Sequence, residues 1–332
     1  MGQFNLIRNI FRNLPVSEKL KNKMRTYFYL LINKNKYNIV NIYGKNKHYS
    51  RYKGKIKEVT AVIPNYNYER FLNERIDSIL FQTYPVKELI ILDDCSTDES
   101  IELIKQRIKN NKSGIKISLI ENNKNSGSVF SQWQKAFEVA KTDYIWIAEA
   151  DDSSDARFLE TVMQGFDDDQ VVISYCESLT MDENNFILMN NLRPWIDIFS
   201  CGKWNENYVK NGRDEVAETM CINNTIANVS SSVIKRGNYK EILEKAKDYK
   251  LAGDWYTYMN ILKLGKIAYF KNSYNYHRMQ KQGLTLSTSH EQEYKEIVSL
   301  QDFALKEFKV SQEVTQRVYE RRERERIRFG IE

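Results

Sequence analysis

The stretch that decides the fold is VTAVIPNYNYERFLNERIDSILFQTYPVKELIILDDCSTDES, residues 59–100. It opens on an apolar run, continues as an amphipathic segment from Glu69 to Thr83, and returns to an apolar run over residues 87–93. Continuous apolar strands joined by a helix are typical of a parallel sheet that is covered on both faces. The stretch therefore predicts a strand-helix-strand unit, with a pair of aspartates following its second strand.

The alternation of strands and helices continues to about residue 180 and is less regular beyond it. The helix after the second strand opens on Ser96-x-x-Glu99, a pattern typical of an N-terminal capping box. A single long charged helix is predicted from His290 onwards. The other predicted strands are 115–121, 143–148, 170–176, 266–270 and 273–279, and residues 223–236 are expected to form a loop that enters a short strand. The other predicted helices are 129–140, 156–166, 238–248 and 254–264. These patterns predict an α/β fold in which a mostly parallel sheet is flanked by helices, with helical N- and C-terminal extensions.

The net charge of +6 is unevenly distributed along the 332 residues. Residues 1–58 carry 14 lysines and arginines and two acids, whereas the rest of the chain carries 36 bases and 42 acids. The segment FNLIRNIFRNLP (residues 4–15) places apolar residues at helical spacing with arginines between them. It predicts either a helix that binds an anionic membrane surface or one that packs on the domain. Nucleic acid is disfavoured as a partner because the body of the chain is acidic.

No window of 18 uncharged apolar residues and no signal-peptide pattern occurs in the sequence. We therefore expect a cytoplasmic protein, peripheral at the inner face of the cell membrane if the basic helix binds lipid. The four cysteines are widely spaced and only three histidines are present. This composition disfavours disulfides and zinc sites, so any bound metal is expected to be a hard ion held by oxygen.

Polar side chains follow four of the predicted strands. They are Pro64–Asn67 after the first strand, Asp93 and Asp94 after the second, Asn122 and Asn123 after the third, and Glu149, Asp151 and Asp152 after the fourth. Each set alone is compatible with turns and helix caps. Together they predict an acidic cleft at the carboxyl edge of the sheet, where such folds bind ligands. Because neighbouring carboxylates repel one another, YIWIAEADDSSD (residues 144–155) predicts a Mg²⁺ or Mn²⁺ ion bound together with substrate phosphates.

Several other enzyme classes are disfavoured by missing motifs. The sequence contains no helix-opening G-x-G-x-x-G, no G-x-x-x-x-G-K-[ST] and no G-x-S-x-G. A dinucleotide-dependent dehydrogenase, a P-loop enzyme and an α/β-hydrolase are therefore not indicated. The motif LDDCST has a cysteine where an aspartyl-phosphate phosphatase needs its second acid.

The stretch from residue 59 to 100 resembles the opening of family 2 inverting glycosyltransferases with the GT-A fold. The shared pattern is P-x-Y-N after a strand, a helix ending S-I-L-x-Q-T, and a strand ending D-D-x-S-x-D. NSGSVFSQWQKAFEVAKTDYIWIAEADD (125–152) resembles the continuation of that family, with its D-x-D-type metal motif. AGDWYTYMNILKLGKIAYF (252–270) is similar to the segment that supplies the catalytic base. The likeness extends over residues 58–286.

The resemblance implies a set of site residues. Pro64, Asn65 and Tyr66 would hold the nucleobase and ribose, and Asp94, beside Asp93, would contact the base. Asp151 would lie near the ribose or the metal, and Asp152 would be a direct metal ligand. Asp254 would be the general base. The alternative for Asp254 is a first-turn acid favoured by the helix dipole. Arg278 would contact the diphosphate. Relatives carry histidine where this chain has Gln280, so a metal contact of His277 is left open.

The leading hypothesis is a metal-dependent inverting glycosyltransferase that moves one sugar from a nucleotide-diphosphate sugar, in particular a UDP-sugar, to a glycan or lipid-linked acceptor in cell-surface polysaccharide synthesis. The alternative is a non-catalytic subunit that binds nucleotide sugars or glycans. The missing Q-x-x-R-W motif favours single-sugar addition over polymer extrusion. Four parts are expected: a basic amphipathic helical extension (1–57), a nucleotide-sugar-binding half (58–180), an acceptor-binding and catalytic-base half (181–286), and a charged C-terminal helix (287–332).

Overall fold

The computed structural model describes residues 52–196, 202–280 and 289–331. Most of the predicted basic extension lies outside these residues, so its membrane or packing role stays a prediction. Within the described ranges, no helix has both the length and the apolar character needed to cross a membrane. Three cysteines of these ranges, Cys95, Cys176 and Cys221, are free thiols.

One mixed sheet organises the described part of the chain. Its strands are β1 (Val59–Asn65), β2 (Glu88–Asp93), β3 (Lys116–Glu121), β4 (Tyr144–Ile147), β5 (Ser153–Ser154), β6 (Val171–Met181), β7 (Ile187–Met189), β8 (Tyr208–Asn211), β9 (Ser232–Lys235) and β10 (Lys266–Arg278). Their order is β3-β2-β1-β4-β9-β6-β10-β5, with β7 beside β6 and β8 beside β10. The two strand pieces predicted after residue 265 are thus one long strand with register shifts between Phe270 and Asn275.

The α/β class is confirmed, and the predicted parallel pairing is found on both sides of β9. Strands β3, β2, β1 and β4 run parallel to one another. Strand β9 runs antiparallel to both of its neighbours, β4 and β6, whereas β6 and β10 are parallel. The longer ladders are thus parallel, as expected, and β9 is an antiparallel strand between two parallel sets. Parallel neighbours are usually joined by a crossover helix, whereas β9 is directly preceded by the short turn Val229–Ser231.

Helices pack on both faces of the sheet. They are α1 (Glu69–Leu80), α2 (Ser100–Lys109), α3 (Val129–Val139), α4 (Phe158–Val162), α5 (Arg193–Ile196), α6 (Gly212–Glu215), α7 (Lys240–Ala246), α8 (Gly253–Leu262), α9 (His290–Glu307) and α10 (Gln312–Phe329). On β1, Val59, Ala61 and Ile63 belong to one buried apolar cluster and Val62 to the other, on the opposite face. Because both faces of the sheet are covered by apolar side chains here, β1, β2 and β4 can present polar groups to a ligand only at their ends.

The C-terminal region forms a helical hairpin, so the prediction of one long helix is wrong. Helix α9 ends at Phe308, whose backbone is extended (φ −122°, ψ 152°) and whose side chain is buried. A new helix then starts because the Ser311 side chain accepts a hydrogen bond from the amide of Val314. Helices α9 and α10 pack against each other and against the main body.

Candidate active site

The carboxyl ends of β1, β2 and β4 meet at one edge of the sheet, as the sequence predicts. Asn65 is paired with Asp93 across the parallel ladder, and Val62 is paired with Ile147. The amide of Asp94 donates to the carbonyl of Asn65 at 2.8 Å, which holds the two chain ends together. Side chains that follow these three strands are therefore neighbours in space.

Asp93 braces the loop that follows β2 instead of facing a ligand. Its Oδ2 accepts from Asn65 Nδ2 and from Ser96 Oγ, both at 2.7 Å, and its Oδ1 accepts from the amide of Ser96 at 2.8 Å. Its side chain is fully buried. The predicted capping box is wrong for the same reason: the Ser96 hydroxyl is used by Asp93, and helix α2 starts four residues later, at Ser100.

Asp94 is also buried, with 5% of its surface exposed, and is held by the loop after β3. Its two carboxylate oxygens accept from the amide of Ser126 at 3.0 and 3.1 Å, and Oδ2 accepts from the Ser126 hydroxyl at 2.7 Å. Asn122 Nδ2 donates to Oδ1 at 2.6 Å. A ligand that donated to this carboxylate would have to replace one of these contacts.

Of Pro64, Asn65 and Tyr66, the residues implied to hold the nucleoside, only Tyr66 is exposed to solvent. Pro64 and Asn65 are buried within β1, and Asn65 serves Asp93 and Ser96. The Tyr66 side chain is 45% exposed at the end of the strand. An exposed aromatic ring beside a polar rim is suited to stacking on a flat ligand group.

The three acids after β4 strongly influence one another. Burial, followed by the charges of Asp151 and Asp152, raises the pKa of Glu149 to about 8. Burial and then the charge of Asp152 also raise the pKa of Asp151. The buried guanidinium of Arg75, which lies over the Trp146 ring, partly offsets these effects on Glu149. Arg75 is not a predicted site residue, because nothing in its helical pattern indicates that its charge acts on Glu149.

Asp152 differs from its two neighbours because protein donors surround it. Oδ2 accepts from Ser230 Oγ at 2.6 Å and from Asn228 Nδ2 at 2.9 Å, and Oδ1 accepts from the amide of Arg278 at 2.9 Å. Burial alone would raise the pKa of Asp152, but contact with His277 and the other donors lowers it. Asp152 therefore ties the end of β4 to β10 and to the turn before β9. These contacts do not favour the direct metal contact predicted for it.

Asp151 is more open. Among the described side chains, Gln280 is the one that donates to the Asp151 carboxylate: its Nε2 donates to Oδ2 of Asp151. The side chain is half-buried. The phenol of Tyr68 is influenced by the same acids: burial, and then the charges of Asp151 and Glu149, raise its pKa. Gln280 and Tyr68 are thus site residues that the sequence analysis did not assign.

Arg278 is placed differently from its implied role as a diphosphate contact. Its side chain is 1% exposed and forms an ion pair with Glu74 at 3.2 Å. Its Nε donates to the carbonyl of Asp151 at 2.6 Å, and its guanidinium lies over the Phe71 ring. These contacts argue against a direct diphosphate contact. Arg278 instead supports the backbone of the turn that carries Glu149, Asp151 and Asp152, called the acidic turn below.

His277 turns one ring nitrogen inward. Its Nδ1 lies 2.7 Å from Asn228 Nδ2 and 3.3 Å from Asp152 Oδ1. The side chain is 30% exposed. Any metal contact of His277 would therefore have to use Nε2.

Asp254 lies in the first turn of α8. Its Oδ2 accepts from Asn224 Nδ2 at 2.9 Å, and its Oδ1 accepts from the amide of Trp255 at 2.7 Å. Burial raises the pKa of Asp254 to about 6. Gly253 precedes it where a side chain would not fit, since a Cβ there would lie 2.5 Å from the carbonyl oxygen of Ala246. Close packing thus fixes the start of this helix.

Tyr258 connects Asp254 electrostatically with the acidic turn. Burial and the charges of Asp254 and Glu149 together raise the pKa of its phenol. Its ring packs 6.0 Å from the indole of Trp133, centroid to centroid. The charges of Asp254 and Glu149 thus both act on one buried phenol.

The acidic turn fits a hard cation as part of a site rather than as a complete one. In the described ranges, no group of three or more histidine, cysteine, aspartate and glutamate side chains has the geometry of a metal site. The half-buried carboxylate of Asp151 and the nearby Glu149 nevertheless supply oxygen donors whose mutual repulsion a cation would relieve. Mg²⁺ and Mn²⁺ commonly bind through one or two carboxylates, with substrate phosphates completing the shell.

Comparison with known proteins connects this geometry to one family. The sequence profile of the family described as "Glycosyl transferase family 2" matches residues 60–229, just over half of the chain. The chain is 35% identical over 97 residues to the poly(ribitol-phosphate) beta-glucosyltransferase of Bacillus spizizenii. It is 38% identical over 103 residues to the putative glycosyltransferase EpsE of Bacillus subtilis. These matches cover 29% and 31% of this chain, and 15% and 36% of the two relatives, so the chain spans well under half of their length.

Solved structures show the same fold. Staphylococcus aureus TarS 1–349 in complex with UDP-GlcNAc superimposes with a TM-score of 0.57 at 16% identity, over 82% of this chain and 73% of that one. The mannosyltransferase PcManGT from Pyrobaculum calidifontis, in complex with GDP-Man and Mn²⁺, also gives a TM-score of 0.57 at 16% identity, over 90% of this chain and 77% of that one. At this identity the likeness establishes the fold alone, and it confirms the fold expected from the sequence.

Proposed function

Because the chain belongs to glycosyl transferase family 2, we propose that it is an inverting glycosyltransferase that moves one sugar from a nucleotide-diphosphate sugar to a glycan or lipid-linked acceptor. One observation carries this proposal: Asp94 and the acidic turn follow neighbouring strands at the carboxyl edge of the sheet, and Asp254, a carboxylate of raised pKa, acts together with Glu149 on the buried phenol of Tyr258. The UDP-GlcNAc bound to a protein of the same fold supports a UDP-sugar as donor. The poly(ribitol-phosphate) relative supports an acceptor in a cell-surface polysaccharide.

Asp254 is the proposed general base. The acceptor hydroxyl gives its proton to an Asp254 oxygen while its own oxygen forms a bond to the anomeric carbon of the donor. The bond from that carbon to the diphosphate breaks with its electron pair, and the nucleoside diphosphate leaves. A single displacement without a protein nucleophile inverts the configuration at the anomeric carbon.

The nucleoside is proposed to bind at the ends of β1 and β2. Tyr66 would stack on the base, and Asp94 would accept a hydrogen bond from it in exchange for one from Ser126. Asn65 and Asp93 keep this loop in place through their mutual contact.

The acidic turn is proposed to hold a divalent cation through Asp151, with Glu149 beside it. A bound Mn²⁺ or Mg²⁺ would neutralise the charge that develops on the departing diphosphate. Asp152 positions this turn by fixing it to Ser230, Asn228 and the backbone of β10.

We expect nucleotide sugars to stabilise the protein in a thermal-shift panel run with and without Mn²⁺. A ligand that binds only the folded state adds about 2.7 kcal/mol of stability at 100 times its Kd, which raises Tm. A UDP-sugar should give the largest rise, and Mn²⁺ should increase it. Turnover of the stabilising donor, measured as released nucleoside diphosphate, tests the activity itself. Stabilisation without turnover on any acceptor would instead support a non-catalytic binding subunit.

The acceptor-dependent rate should depend on pH through Asp254. The base acts only when deprotonated, and burial raises its pKa to about 6. We therefore expect kcat/KM for the acceptor to fall as pH decreases through about 6, by about tenfold per unit below it. A pH–rate profile from pH 5 to 8 at saturating donor and metal checks this. A profile that stays flat down to pH 5 would contradict the assignment of the base.

A further inference from the structure

The C-terminal hairpin reaches the segment that carries the proposed base. Glu296 of α9 is buried, with 4% of its surface exposed. Its Oε1 accepts from the amide of Lys250 at 2.8 Å, and its Oε2 accepts from the amides of Leu251 and Ala252, both at 2.9 Å. One carboxylate thus binds three consecutive backbone N–H groups from a different part of the chain.

These amides belong to the turn that starts α8, two to four residues before Asp254. The residue at the N-cap, Ala252, has no side chain that could cap the helix. The first N–H groups of a helix have no partner within the helix. Of the three amides that Glu296 binds, that of Ala252 is one of these groups, and those of Lys250 and Leu251 precede the helix. Glu296 therefore fixes the chain where it enters α8.

Helix α9 also holds the other segment that touches the base. Gln301 is fully buried, and its Nε2 donates to the carbonyl of Ile222 at 2.9 Å. Two residues further on, Asn224 donates to Asp254 Oδ2. Arg322 of α10 donates in turn to Gln301 Oε1 at 2.8 Å, so both helices of the hairpin take part.

We propose that the C-terminal hairpin is a positioning element for Asp254 and that Glu296 is its principal positioning residue. Glu296 fixes the turn before Asp254. Gln301 fixes the segment from Ile222 to Asn224, whose Asn224 side chain donates to Asp254. This inference rests on the proposed role of Asp254 as the general base. The hairpin lies beyond residue 229, where the family profile ends, so it is a feature of this chain that the profile match does not include.

The charge of Glu296 acts on Asp254 as well. Burial is the main cause of the raised pKa of Asp254, and Glu296 raises it further. The other groups around the carboxylate are the Asn224 amide, the amide of Trp255 and the phenol of Tyr258, all of them uncharged at neutral pH. Neutralising Glu296 should therefore lower the pKa of Asp254.

The test compares Glu296→Gln with Glu291→Gln, the same chemical change on the same helix. Glu291 is exposed and pairs with Lys295, away from the turn. In Glu296→Gln we expect kcat to fall by about tenfold or more, because hydrogen bonds to a charged group are lost. We expect KM for the donor to stay within about twofold and the acidic limb of the pH–rate profile to move to lower pH. Glu291→Gln should match the wild type in all three.

A second variant keeps the inference testable if Glu296→Gln folds poorly, and two measurements keep it testable if no turnover is found. Glu296→Asp keeps the charge but shortens the reach, so kcat should fall while the acidic limb stays in place. Hydrogen exchange at the amides of Lys250 to Ala252 should be faster in Glu296→Gln, and NMR titration should show a lower pKa for Asp254. Unchanged exchange and an unchanged pKa would overturn the positioning role. These two changes in a protein without turnover would uphold it and reject the proposed function alone.

Discussion

Asp254→Asn is expected to lower the rate of sugar transfer by about 10²–10⁴-fold, the usual contribution of a general base. Asparagine has nearly the same shape and can still accept from the amide of Trp255. It has no charge and cannot take the proton from an acceptor hydroxyl. Because the proposed donor contacts are made at the ends of β1 and β2 and in the acidic turn, and not by Asp254, KM for the donor should change little.

The matched control for this prediction is Asp248→Asn. Asp248 lies six residues earlier, is largely exposed, and forms a surface ion pair with Lys245. Such pairs contribute about 0–1 kcal/mol, so neither activity nor Tm should change measurably. A single-turnover assay of nucleotide release with acceptor present measures the chemical step for both variants. Equal rates in the two variants would show that Asp254 is a first-turn acid without a catalytic role.

The parts of the fold that could be predicted are those that depend on local periodicity. The apolar runs at β1, β2 and β4 are continuous because both faces of that half-sheet are buried, and the acids at their ends follow from the same pattern. The reversed direction of β9 could not be predicted in this way. It depends on pairing with β4 and β6, which are far away in sequence.

The same limit applies to the site. The sequence shows that Asp151 and Asp152 are adjacent and acidic, but not that Ser230 and Asn228 bind one of them and leave the other open. Glu296 is a further example: on a charged helix it looks like any other surface acid. Its function depends on contacts with a turn 44 to 46 residues earlier in the chain. The sequence pattern identifies Asp151 and Asp152 as candidate site residues, but the hydrogen bonds that distinguish their roles come from distant parts of the chain.

Asp151→Asn and Asp152→Asn are expected to have opposite effects on stability. Burial and repulsion raise the pKa of Asp151, so its charged form disfavours the folded state at neutral pH. Asp151→Asn should therefore leave Tm of the metal-free protein unchanged or higher. The fold lowers the pKa of Asp152, so its carboxylate stabilises the protein at neutral pH. This contribution is lost only in acid, as the pH falls through the lowered pKa. Asp152→Asn should lower the free energy of unfolding by about 1.5–3 kcal/mol, since charge-assisted hydrogen bonds are lost.

The two variants should also differ in their response to metal. If Asp151 is the ligand, Asp151→Asn should lose about 100-fold or more of its Mn²⁺-stimulated turnover while remaining folded. Asp152→Asn should lose activity in proportion to its loss of structure and recover part of it at lower temperature, because its role is to hold Ser230 and the backbone of β10. Thermal unfolding and a Mn²⁺ titration of turnover, run side by side, separate the two roles. A stable Asp152→Asn that has lost its response to Mn²⁺, beside an Asp151→Asn that has kept it, would return the direct metal contact to Asp152.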